Sequence, residues 1–159
     1  MISLMCTACG FGCSSSSIPL AAAACLRALS TGATYTFTRV FTQQSASEFV
    51  ALTGDSNPIH TDKAAASAAG HAAPILPGML MASMFPAIIG SHFPGALYLT
   101  QTLKFRKPAL VGSSITAEVR VSSKSGNRVT FETICRDTQG VAIVDGRALA
   151  LLTGQQDGS

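Results

Sequence analysis

No acidic residue precedes Glu48 and no histidine precedes His60, in a chain where Asp, Glu, Lys and Arg together make up only 12% of the residues. The acid-free start carries Arg27 and Arg39 as its only charges and abounds in Ser, Thr and Ala, a composition that resembles an organellar transit segment. Nothing basic precedes its apolar run, which argues against a secretory signal. A membrane-spanning run is missing too, since Ile18 to Leu29 is short and broken by Arg27. The net charge of +3 is small and the basic residues are scattered, so a nucleic-acid partner is not expected. Four of the five cysteines (Cys6, Cys9, Cys13, Cys25) crowd into the first 25 residues, leaving Cys135 without a partner in the remainder and pointing to a reducing interior. Cys6 and Cys9 have metal-ligand spacing, but no histidine and no helix or strand pattern accompanies them, so no zinc site is assigned. With neither a ligand cluster nor a nucleotide loop, no metal and no cofactor is expected.

What remains suits one compact domain: 159 residues, nearly half of them apolar. We place it at residues 33–153, after a leader (1–32) and before a short tail (154–159). Alternation of apolar and polar residues marks strands at Tyr35–Thr42, Ala96–Phe105, Ser114–Ser122, Arg128–Cys135 and Val141–Leu152. The spacing Ser45-x-x-Glu48 predicts a capping box that opens a short helix, ended by Gly54. Asp62 caps a second, Ala-rich helix closed by Gly70. Met79, Leu80, Met84, Ile88 and Ile89 recur at helical spacing in a run apolar on nearly all sides, which predicts a buried helix that Pro86 kinks or shortens. One buried helix and several long antiparallel strands give an α+β class, a sheet wrapped around a central helix.

Asp55 and His60 flank an Asn57-Pro58 turn. On one helix they would point about 140° apart. Pro58 forbids that helix and biases Asn57 toward extended geometry, so the segment turns and can bring carboxylate and imidazole into one small volume. Asn57 reads as a builder of that turn. Taken singly, Asp55 also reads as a turn cap and His60 as a polar core residue.

Phe49, Leu52, Thr53, Gly54, Asp55, Asn57, Pro58, Ile59 and His60, with Ala66 after five intervening residues, resemble the hydratase signature of the MaoC-like family of (R)-specific enoyl-thioester hydratases and 3-hydroxyacyl-thioester dehydratases. Gly78 to Phe85 is similar to the opening of that family's central helix, and Ser91 to Pro108 to the loop and strand after it. The likeness spans roughly residues 35–152 and is closest to plant-type mitochondrial 3-hydroxyacyl-acyl-carrier-protein dehydratases. It implies a hot-dog fold, a homodimer, a thioester of acyl-carrier protein or coenzyme A as substrate, and a mitochondrial address, with a plastid one as the alternative. It also implies roles. His60 acts as base on water in hydration, Asp55 orients the same water and relays its second proton to the α-carbon, and the Gly78 N–H stabilises the enolate. Leu80, Met84 and Phe85 would wall the acyl chain, and Lys104, Arg106 and Lys107 would meet the carrier arm, although an apolar stripe also reads as core and a basic strand as a solvated face. The family commonly has histidine before the glycine where this chain has Pro77, and proline fits a first helical turn. That departure is the support for a non-catalytic thioester-binding protein; a hot-dog thioesterase is the third reading.

Overall fold

The strands over residues 114–125 and 128–136 bury alternate residues. In the computed structural model, which describes residues 29–152, the longest strand, Ser114–Ser125, turns Ile115, Ala117, Val119 and Val121 inward and Thr116, Glu118 and Arg120 outward. Numbered along the chain, the strands are β1 (Thr34–Val40), β2 (Leu97–Phe105), β3 (Ser114–Ser125), β4 (Arg128–Arg136) and β5 (Ala142–Leu151). They form one antiparallel sheet in the order β1-β3-β4-β5-β2. The β3–β4 hairpin closes through Gly126 and Asn127, and Gly126 at φ 59° takes the first central position as a two-residue II′ turn requires.

The helices cover one face of this sheet. They are α1 (Gln43–Thr53), α2 (Lys63–Ala68), α3 (Gly78–Ala82) and α4 (Met84–His92), with a single 3₁₀ turn at Pro58–His60. The inner face of α4 (Met84, Phe85, Ile88, Ile89) is buried over β3 and β1. Beyond it Phe93 meets Phe131 at 5.9 Å and Tyr35 edge-on at 5.4 Å between ring centroids. The α+β hot-dog arrangement is the one expected.

Two local expectations are corrected. The first helix begins at Gln43, ahead of the expected capping box: Thr42 is its cap, accepting from the Ser45 N–H at 3.2 Å, and Glu48 instead accepts from Gln44 at 2.8 Å. Phe41, 2% exposed, anchors the chain in the core at that point, so the first available hydroxyl after it caps the helix. Gly54 ends α1 in the left-handed region (φ 74°), and Asp62 caps α2, accepting from Ala65 N–H at 2.8 Å; both agree with expectation. The second correction concerns the central helix. It divides at Ser83, whose hydroxyl donates to Leu80 O at 2.6 Å, so that Pro86 becomes the third residue of a new helix, in the first turn where its missing N–H costs no bond.

The first described residues belong to the domain's packing. Leu29 is buried in the core, and Gly32 N–H donates to Val121 O at 2.8 Å while Val121 N–H donates to Ala33 O. Residues 1–28 of the expected leader, residue 153 and the expected tail (154–159) lie outside the described residues. A chain starting at Ala33 should therefore melt about 5 °C or more below one starting at Leu29, because burial of one leucine contributes ~1.5–3 kcal/mol. Equal calorimetric midpoints would show that Leu29 adds nothing.

Candidate active site

The site grows from the C-terminus of α1. Once Gly54 has turned the chain, the Asp55 N–H donates to Thr53 Oγ1 at 3.4 Å and Asp55 Oδ1 accepts from Asn57 N–H at 3.1 Å. Asn57 is extended (φ −65°, ψ 115°), as a residue before proline must be, and its Oδ1 accepts from Ile59 N–H at 3.3 Å. Pro58 then opens the 3₁₀ turn with its φ already set. Together these bonds deliver Asp55 Oδ2 to 3.5 Å from His60 Nε2.

The two side chains differ in setting. That of His60 is 10% exposed and that of Asp55 40%. His60 Nδ1 lies 2.8 Å from Ile75 O, and because a carbonyl can only accept, Nδ1 carries a proton and Nε2 is the nitrogen that faces Asp55. The 3.5 Å gap between Nε2 and the Asp55 carboxylate exceeds an ordinary hydrogen bond. With Nε2 unprotonated, the two atoms could share one bridging donor.

Three long-range contacts hold this pair. Gln43, the first residue of α1, donates from Nε2 to His60 O at 3.1 Å. Ile75 N–H donates to Ile59 O at 3.1 Å, and Leu76 N–H to Ala109 O at 2.7 Å. The 75–76 segment is thus laced between the Asp55-to-His60 turn and the 108–110 loop, and the start of α3 shares a cavity with His60. Neither Gln43 nor Ile75 is marked by any local motif.

A cavity of about 420 Å³ opens there, lined by His60 with Ile75, Leu76, Gly78, Met79, Met81 and Phe105 and edged by Arg106, Lys107 and Pro108. Gly78 is the first residue of α3, so its N–H has no acceptor within the helix. Met79, expected to be buried with its helix, is 56% exposed at this cavity. Leu80, Met84 and Phe85 are buried in the core and do not line it.

The basic residues divide as well. Arg106 forms a two-pronged pair with Asp145 (2.9 and 3.3 Å), and Lys107 pairs with Asp137 at 3.2 Å. The Val141 N–H, helped by Lys107 and the Gln139 N–H, holds the Asp137 carboxyl below its ordinary range. Lys104 projects from the outer sheet face into a separate, mixed-charge groove of about 530 Å³ with Glu118, Arg120 and Arg147. His92 stacks on Tyr35 at 4.4 Å, and burial lowers its pKa. Burial also pushes the Cys135 thiol up to about 12. Among the described residues no group of three or more His, Cys, Asp or Glu could hold a metal ion, and no helix is long and apolar enough to cross a membrane.

The model of the MaoC like domain matches residues 27–144, a span that holds the whole of this site. The chain belongs to the MaoC-like family. Among MaoC-like relatives, a mitochondrial 3-hydroxyacyl-[acyl-carrier-protein] dehydratase of Solanum lycopersicum is 41% identical over 118 residues, 72% of each chain. The corresponding mitochondrial protein of Arabidopsis thaliana is 38% identical over 120 residues, again 72% of each. The solved structure of the (R)-hydratase of A. caviae superposes with a TM-score of 0.76 at 34% identity, covering 79% of this chain and 98% of that one. Dehydratase and hydratase name the two directions of one hydro-lyase reaction.

Proposed function

We propose that this MaoC-like protein is an (R)-3-hydroxyacyl-thioester dehydratase that forms trans-2-enoyl thioesters. The observation that carries the reading is the Asp55–His60 pair, with an imidazole proton held on Nδ1 by Ile75 O and Nε2 facing the carboxylate, at a cavity that His60 and Gly78 both line.

In the hydration direction a water sits between the two acceptors and donates a proton to each. His60 Nε2 takes one proton as the water oxygen bonds to the β-carbon. The electron pair of the double bond moves onto the thioester as an enolate, whose oxygen the Gly78 N–H stabilises. Asp55 relays the second water proton to the α-carbon, and His60 returns the first to the new oxygen. The product is the 3-hydroxyacyl thioester and the pair ends as it began. Dehydration runs these steps in reverse. Asn57 and Pro58 hold the turn, and Met79 and Met81 stand where an acyl chain entering the cavity would lie.

The two mitochondrial relatives support an acyl-carrier-protein substrate and a place in type II fatty acid synthesis in the mitochondrion. An (R)-specific enoyl-CoA hydratase of Aeromonas caviae, 40% identical over 108 residues, favours the second reading, in which the carrier is coenzyme A. Full-length protein incubated with crotonyl-CoA should consume the conjugated enoyl absorbance, and unchanged absorbance at micromolar enzyme would reject the hydro-lyase. Rates on acyl-CoA and acyl-carrier-protein forms of one chain length then separate the two carriers.

Arg106 and Lys107 edge the cavity while Lys104 does not, so their roles should part. Replacing Arg106 or Lys107 with Ala should raise KM several-fold with kcat nearly unchanged, as loss of uniform binding does. Lys104→Ala should leave both within twofold. A KM effect confined to Lys104→Ala would reverse the assignment.

A homodimer is part of the proposal, supported by the exposed Leu97 and Leu99 on the unpaired edge of β2, which a second copy would cover. Light scattering should give twice the chain mass; an active monomer would reject it.

A further inference from the structure

Gly78 has no side chain because Phe105 occupies its place. A Cβ built on Gly78 would lie 2.5 Å from Phe105 Cε1 and 2.8 Å from Cδ1, well inside contact distance. The glycine's φ is not positive, so backbone freedom is not what the position requires; free space for the ring is. Phe105 is the last residue of β2, so the ring arrives from the sheet edge and lies across the first residue of α3. It is 55% exposed, and it lines the same cavity as His60, Met79 and Met81.

We infer that the Phe105 ring is the specificity-determining roof of this cavity, closing over the Gly78 peptide and limiting the length of acyl chain that can lie beside His60. The inference deepens the proposed hydro-lyase reading and rests on it for its kinetic test. A ring in contact with Gly78 keeps water from the N–H that the proposed function assigns to the enolate, where exclusion of solvent strengthens the bond. The same ring takes up cavity space that a longer chain would need. The ring is 55% exposed and ends a strand, so it has room to shift.

The test uses full-length protein as wild type, Phe105→Leu, Phe105→Ala, Gly78→Ala and the double variant Gly78→Ala/Phe105→Ala. Each is assayed for kcat and KM on crotonyl-CoA and trans-2-octenoyl-CoA, with melting temperatures alongside. Phe105→Ala should lower kcat on crotonyl-CoA and raise the octenoyl-to-crotonyl ratio of kcat/KM by about 10-fold, with Phe105→Leu between it and wild type. Gly78→Ala keeps the N–H but displaces the ring, and should cost about 10²-fold on both substrates. Removing the ring in the double variant should return about 10-fold of that loss. An unchanged chain-length ratio in Phe105→Ala, or a double variant no more active than Gly78→Ala, would overturn the inference while leaving the hydro-lyase reading intact. If wild type turns over neither substrate, that reading fails, and calorimetric binding of butyryl-CoA and octanoyl-CoA to the same five proteins decides the roof. A ratio of affinities that Phe105→Ala does not move toward octanoyl-CoA would then sink it.

Discussion

Asp55→Asn and His60→Gln should each lower kcat by about 10²–10⁴-fold while the protein still folds, the range in which a positioned acid or base contributes. Both replacements keep size and polarity. Each removes a proton site at the 3.5 Å gap between Oδ2 and Nε2. Because the two groups act along one proton path, the double variant should fall little below the worse single variant, far short of the product of the two losses. Binding of a saturated acyl thioester should change much less, since its contacts are with the apolar wall and the basic rim. Rates on crotonyl-CoA, with calorimetric affinity for butyryl-CoA and circular dichroism for folding, supply the comparison. If either folded single variant retained near-full activity, the pair would not be the proton path, and the scaffold and thioesterase readings would move ahead.

The largest stability effect should come from a glycine far from this chemistry. A Cβ on Gly146 would fall 1.7 Å from Thr102 O and 2.7 Å from Thr102 C, both backbone atoms of β2. Backbone cannot rotate aside as a ring can. Gly146→Ala must therefore push β2 from β5, its only strand neighbour in the sheet. The damage would reach inward. Gln101 donates to the buried Thr133 Oγ1 at 3.1 Å and accepts from the Tyr98 hydroxyl, whose pKa burial pushes up to about 12. Losing these partners leaves buried polar groups unsatisfied. We expect destabilisation above about 3 kcal/mol, seen as a fall of some 10 °C in melting temperature or loss of soluble protein. Gly90→Ala is the matched control. Its Cβ meets nothing within 4 Å on the exposed side of α4, so the same substitution should stabilise by about 0.5–1 kcal/mol. Equal melting temperatures for the two variants would refute the steric account.

The contrast between those glycines marks where sequence reading stops. The five strands were legible because alternation is local, and their ends fell within a few residues of the observed ones. The Asp55-to-His60 turn was legible because Pro58 constrains its neighbours directly. Thr42 was passed over because Ser45-x-x-Glu48 has the better local spacing, and burial of Phe41, a tertiary fact, decided the cap. Helical periodicity grouped the apolar residues of residues 79–89, but it cannot say which of them look into a cavity. Met79 and Met81 do; Leu80, Met84 and Phe85 face the core. Gln43 reaches His60 across 17 residues, and Phe105 reaches Gly78 across the fold, with no motif to announce either.

The group that fixes the imidazole proton is a main-chain carbonyl, that of Ile75. An orienting carboxylate can be deleted by a single codon change. Here every residue type at position 75 supplies the same oxygen. Drift at that position can alter the cavity wall without touching the tautomer. Only proline, which would remove the N–H that ties Ile75 to Ile59 O, threatens the arrangement. The tautomer of His60 is thus insulated from side-chain substitution at the residue that sets it, and the cavity wall is left free to vary around a fixed proton.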